Sequence, residues 1–297
     1  MDAIQSIQKV TLGRGEQSLS ALYAPASTNN SKALIIALHG GTYSSSYFHL
    51  EDQPDLSLLK LGSEIGYSVL SIDRPGYGIA EELNSSFDYQ IPIIRNAINQ
   101  AISEYELSSD KVFLVGHSIG AMIAMLLAKD SINGTLLGLD LSGAGFEFYE
   151  ESKTALSHLI EAGPLLMDKQ SKDEIFYGPS WTRSEEVLNE DVATFLTSAK
   201  EVEIKDAIDW ENRIYLEGPQ IKVPIQFTLG EYDNLWKNSS EIMEKTQEIF
   251  SVAPFVQTHV QRFAGHCNHL HHVGRAYNLR TLAFVDECIS YQSTLRV

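Results

Sequence analysis

Short apolar, β-branched runs alternate along this chain with longer stretches whose apolar residues recur three or four positions apart. A continuous apolar run suits a strand covered on both faces, and 3.6-residue spacing suits an amphipathic helix. Residues 6–11 and 18–24 read as two opening strands joined in a hairpin. Residues 33–38 and 68–72 follow as strands, separated by a helix over 56–65. Ile91, Ile94, Ile98 and Ile102 mark one face of a helix over 90–105. Residues 111–115 form another buried strand, which runs through Gly116-His117-Ser118 into an apolar helix over 119–129. A strand over 135–141 comes next.

From 146 to 218 the strand pattern is lost, and Glu, Lys, Leu and aromatic residues there predict several helices. Strand character resumes at 223–229, followed by a helix near 239–250, a strand over 255–263 and a closing helix over 275–290. Strands alternating with helices predict an α/β fold with a mostly parallel sheet flanked by helices. A helical insertion late in that order divides the chain into a core (1–145 and 219–297) and a helical cap (146–218).

Composition narrows the function classes. At 297 residues, 43% hydrophobic and 21% charged, the chain has ordinary globular character and length enough for a large core. Its 39 acidic and 22 basic residues leave a formal charge of −17, which repels phosphate backbones and anionic lipid headgroups. Nucleic-acid and membrane partners are therefore not expected, and a small-molecule substrate is. The oligomeric state stays open, a homodimer included. No basic segment followed by an apolar run opens the sequence, and no stretch approaches the roughly 18 apolar residues of a spanning helix. Cys267 and Cys288 read as free thiols in a reducing compartment, so a cytoplasmic protein is expected.

Candidate chemistry centres on Gly116-His117-Ser118-Ile119-Gly120, a G-x-S-x-G match lying between an apolar strand and a small-residue helix. On such a strand-to-helix turn the glycines let flanking backbones pack closely, and the serine hydroxyl is pushed into the open. A hydroxyl needs a base and an orienting carboxylate before it is a useful nucleophile. His266 follows the last predicted strand with Gly265 easing the turn, and His269 is the competing base. Asp233 follows the strand before it, with Glu231 and then Asp140 as alternatives. The order Ser118, Asp233, His266 suits this architecture. An oxyanion needs two backbone N–H groups. Ile119, directly after the serine, offers one, and Gly41 in the loop His39-Gly40-Gly41-Thr42 offers the other. The histidines at 266, 269, 271 and 272 also invite a metal reading, but no acidic or cysteine-rich partner motif accompanies them, so no metal is expected.

These pieces together resemble the α/β-hydrolase fold superfamily, in its capped serine form. The resemblance rests on His39-Gly40-Gly41, Asp73-Arg74-Pro75-Gly76-Tyr77-Gly78, the serine motif, residues 230–233 and Gly265-His266, in that order along most of the chain. It implies an eight-stranded, mostly parallel sheet, a mechanism without cofactor, and a structural role for 73–78 beneath the site. A serine nucleophile in place of aspartate argues against the epoxide-hydrolase and haloalkane-dehalogenase branches.

The expected activity is hydrolysis of an ester or thioester of a small, apolar or aromatic acyl group. Aromatics between 146 and 215 (Phe146, Phe148, Tyr149, Phe176, Tyr177, Trp181, Phe195, Trp210 and Tyr215) would either wall the pocket or pack the cap on itself. Arg183 reads as a surface ion pair or, less simply, an anion-binding group, and Glu185, Glu186 and Glu190 as a solvated face. Two other readings use the same residues: carbon–carbon cleavage, lyase or acyl-transfer chemistry, and a ligand-binding protein without turnover.

Overall fold

The opening hairpin forms as its alternation predicts: β1 (Gln8–Leu12) pairs antiparallel with β2 (Leu19–Ala24), from Gln8 opposite Tyr23 to Leu12 opposite Leu19. In this computed structural model, which describes residues 6–108, 111–129, 136–161, 165–166, 173–187 and 198–295, six further strands join them in one sheet. These are β3 (Leu34–Leu38), β4 (Ser68–Ile72), β5 (Val112–His117), β6 (Leu136–Ser142) and two late strands. Between β6 and those late strands lies a two-residue antiparallel pair, β7 (Leu165–Leu166) with β8 (Ser198–Ala199). The late strands are β9 (Ile225–Gly230) and β10 (Val256–Gln261). The sheet order is β1-β2-β4-β3-β5-β6-β9-β10, and every neighbour pair from β4 to β10 is parallel. The fold is therefore an eight-stranded, mostly parallel α/β sheet.

Parallel strands need crossovers, and helices supply them on both faces. Leu34, Ile36 and Leu38 of β3 face one core, shared with α2 (Phe87–Glu104) and α3 (Ile119–Lys129). Ile35 and Ala37 face the other, shared with α1 (Leu58–Glu64) and the last helix. That two-sided burial is why β3 reads as an unbroken apolar run, each large side chain contributing about 1.5–3 kcal/mol. Pro92 lies inside α2 on its exposed side, so the helix tolerates the missing donor.

Between β6 and β9 the described α-helices are α4 (Glu150–Glu161) and α5 (Glu201–Glu217), and α5 packs on both α3 and α4. The pattern predicts helices alone here, whereas β7 and β8 also pair. Two residues per strand are too few to print a period-two signal. After β9 come α6 (Ser240–Ile249), capped by Ser239 accepting from the Ile242 N–H, and α7 (Gly274–Thr294). No helix among the described residues is long and apolar enough to cross a membrane.

Candidate active site

Ser118 stands between the end of β5 and the start of α3 with φ of 53°, in the left-handed region that a non-glycine residue rarely enters. The turn is closed by hydrogen bonds from Ser118 N to Ser142 O (2.7 Å) and from Ala121 N to Ser118 O (2.9 Å). Its flanking glycines are required sterically. A Cβ on Gly120 would lie 2.0 Å from Leu38 O, and one on Gly116 would lie 2.5 Å from Ala121 Cα. The N-terminus of α3 thus points its unpaired amides past the serine.

His266 and Asp233 come together at 2.9 Å, Nδ1 to Oδ2, and both side chains are buried. The other carboxylate oxygen accepts from Leu235 N (2.8 Å) and Trp236 N (3.2 Å), which fixes its direction. An ionised carboxylate only accepts, so Nδ1 carries the imidazole hydrogen and Nε2 keeps its lone pair. Among the described residues Nε2 has no hydrogen-bond partner, although it is buried. Ser118 and His266 line the same pocket, along with Gly40, Gly41 and Ile119. Gly40 lies tight against the serine turn, since a Cβ there would stand 3.1 Å from Ser118 Cβ. No acceptor among the described residues takes the amide hydrogen of Gly41 or Ile119.

The competing candidates go elsewhere. Glu231 is exposed and accepts from the Phe263 N–H (2.9 Å). Asp140 is buried in β6, bonded by Gln226, Tyr277 and Thr281, and burial raises its carboxyl pKa. His269 is bonded through Nδ1 to Asn278 Oδ1 (2.6 Å), and burial lowers its pKa to about 3. His271 accepts from the Gly265 N–H through Nε2 (2.9 Å) and meets Thr182 through Nδ1, so it anchors the turn that carries His266. Burial, then the charge of Arg183, lowers its pKa to about 4. No group of three or more histidine, cysteine, aspartate or glutamate side chains among the described residues is placed to hold a metal ion. Cys267 and Cys288 are buried and not joined in a disulfide.

The pocket is small, about 60 Å³, and largely apolar. Of the aromatics singled out between 146 and 215, Phe148 and Phe176 line it. Phe146, Tyr177 and Trp210 are buried elsewhere, Tyr149, Trp181 and Tyr215 are exposed, and Phe195 lies outside the described residues, as does Glu190. Arg183 is buried rather than on the surface. It donates to Gly178 O (2.7 Å), lies over the Tyr177 ring and reaches Asp173 at 3.8 Å. Glu185 and Glu186 are exposed, as a solvated face requires.

Pattern reading misses several participants. Met122, Ile204 and Ala207, together with Leu235 and Trp236 just beyond Asp233, also line the pocket. His117 is buried against Tyr47 (ring centroids 4.6 Å, nearly parallel) and 5.0 Å from the His266 ring. Burial and the neighbouring imidazoles hold its pKa well below the ordinary value. Residues 73–78 brace the structure as the motif implies, with Asp73 accepting from Ser20 Oγ and Ser45 N.

A family model described as Alpha/beta hydrolase family matches residues 35–277. Proline iminopeptidase from Thermoplasma volcanium is 26% identical over 255 residues, covering 76% of this chain and 82% of that protein. An esterase from Exiguobacterium antarcticum superimposes with a TM-score of 0.66 at 18% identity, over 94% of this chain and 100% of its own. A soluble variant of monoglyceride lipase from Saccharomyces cerevisiae superimposes with a TM-score of 0.69 at 14% identity, over 97% of each chain.

Proposed function

The chain belongs to the alpha/beta hydrolase family, and from that premise we propose that it is a serine hydrolase of short-chain carboxylic esters or thioesters. Ser118 Oγ attacks the carbonyl carbon while His266 Nε2 takes its proton. Asp233 holds the imidazole in the Nδ1–H tautomer and stabilises the cation that forms. The Gly41 and Ile119 amides receive the oxyanion. His266 returns the proton to the leaving group, and water then repeats the sequence on the acyl-enzyme. The observation that carries this reading is the buried Asp233–His266 pair at 2.9 Å, whose open Nε2 shares a pocket with Ser118.

Substrate size follows from the pocket. About 60 Å³ corresponds to two waters at about 30 Å³ each, which suits an acyl group of about two carbons. We assign residues 146–218 as the lid that sets this limit, with Phe148, Leu156, Phe176, Ile204 and Ala207 as its apolar contribution. The iminopeptidase relative raises release of an N-terminal residue as a second reading. An N-terminal amine is cationic, and no carboxylate is among the described residues that line the pocket, which favours the neutral ester. Buried cysteines outside any disulfide support a reducing, cytoplasmic setting.

The test is turnover of p-nitrophenyl acetate, butyrate and octanoate by the wild-type protein and Ser118→Ala. Turnover of the short esters that vanishes in the variant supports the proposal. Full turnover by Ser118→Ala would end it.

A further inference from the structure

Glu203 opens α5, in the segment between β6 and β9, and its carboxylate is wholly buried. Arg74 and Tyr77 both donate to it, and Gln90 Nε2 lies 3.3 Å away. The same two side chains hold the main chain on either side of Gly41. Arg74 donates from Nε to His39 O (2.8 Å) and from a terminal nitrogen to Gly40 O (3.1 Å). The Tyr77 hydroxyl, whose hydrogen goes to Glu203, accepts from Thr42 N (3.1 Å). A Cβ on Gly41 would lie 3.7 Å from the Glu203 carboxylate, so that carboxylate sits against the loop it braces.

A guanidinium and a carboxylate this deeply buried persist only as a fully bonded set. Removing α5 from its seat would take the carboxylate out of the centre of that set. Arg74 and Tyr77 would then reorient, and the loop they hold would lose its fixed geometry. Nothing in this arrangement touches a reacting atom, so its effect on chemistry passes through the loop.

We propose that Glu203 is a positioning residue that couples the docking of α5 to the geometry of the Gly41 amide, so that the oxyanion site is complete only when the lid helix is seated. This rests on the reading of Gly41 as an oxyanion donor. Two variants separate the brace from general stability. Glu203→Gln keeps the shape and removes the charge. Tyr77→Phe keeps the ring and the Arg74–Glu203 pair and removes the hydroxyl that links Glu203 to Thr42 N. Should Glu203→Gln fail to fold, Tyr77→Phe carries the test alone.

Three readouts are needed: p-nitrophenyl acetate kinetics, inhibition by a trifluoromethyl ketone, and hydrogen exchange of the peptide spanning 38–43. A misplaced donor predicts a fall in kcat of about 10- to 100-fold with KM changed less than about threefold. Ketone affinity, which depends on the same oxyanion contacts, should fall by the same factor as kcat/KM. Exchange of the 38–43 amides should speed up by about tenfold or more, a change of at least about 1.4 kcal/mol in local opening. Unchanged kcat, or a fall in kcat with ketone affinity intact, overturns the proposal. If wild-type protein neither turns over the ester nor binds the ketone, the oxyanion reading has failed. Exchange then decides the brace by itself: faster exchange in the variants supports it, and unchanged exchange overturns it.

Discussion

Lowering the pH from 8 to 5 sets four buried imidazoles against the fold. His39, His117, His269 and His271 are each at most 1% exposed, and burial is the main reason their pKa values fall. For His269 the value is about 3 and for His271 about 4, against 6.5 in an unfolded chain. Each folded pKa lies below the unfolded one, so between the two the unfolded chain binds more protons, and stability falls as pH falls. The loss begins near pH 6.5 and is complete near the folded value. At pH 5 His269 and His271 each cost about 2 kcal/mol, about 4 kcal/mol for the two, and His39 and His117 act in the same direction. That sum approaches the roughly 5–15 kcal/mol by which a domain is stable at all.

Asp140 and Asp206 titrate the other way. Burial raises both carboxyl pKa values, so the folded chain takes up protons there first and acid favours it. His269 and His271 alone take up about two protons on unfolding near pH 5, a slope of about 3 kcal/mol per pH unit. Urea denaturation at half-unit steps from pH 8 to 5 measures it directly. His269→Gln, which keeps a polar partner for Asn278, should reduce the slope by about 1.4 kcal/mol per pH unit. Stability flat to within about 1 kcal/mol between pH 7 and 5 would refute the neutral-histidine account.

Other perturbations have equally definite outcomes. Gly120→Ala places a methyl 2.0 Å from Leu38 O and should cost at least about 3 kcal/mol, read as a lowered urea midpoint or as insoluble protein. Asp233→Asn should lower kcat by about 10³- to 10⁴-fold with near-native circular dichroism, because the amide no longer enforces the Nδ1–H tautomer. His271→Leu leaves the buried Gly265 N–H without its acceptor, costing about 1–3 kcal/mol in a denaturation midpoint and lowering kcat more than it raises KM.

Much of the fold is legible because its periodicities are strong. The span 68–72 matches β4, 119–129 matches α3, and both late strands of the sheet lie within a few residues of their apolar runs. The elbow is legible because its glycines serve a steric need that no other residue meets. Asp233 and His266 are legible as pairing partners because chain order and strand ends place them at one edge of the sheet. The histidine cluster is not, since a run of imidazoles has the same appearance whether it binds a metal, a proton or an asparagine.

Glu203 was legible in principle. It falls in line with Ala207, Trp210 and Ile214 on the buried stripe of α5, so an acid occupies an apolar register. Its partners Arg74 and Tyr77 lie more than 120 residues away in sequence, and only the folded chain brings them together.

The most direct test of the proposed nucleophile is a fluorophosphonate probe applied to the native protein, followed by peptide mapping. The account predicts one adduct, on Ser118, absent from Ser118→Ala and slowed in Asp233→Asn. An adduct on any other residue, or equal labelling of Ser118→Ala, would contradict it.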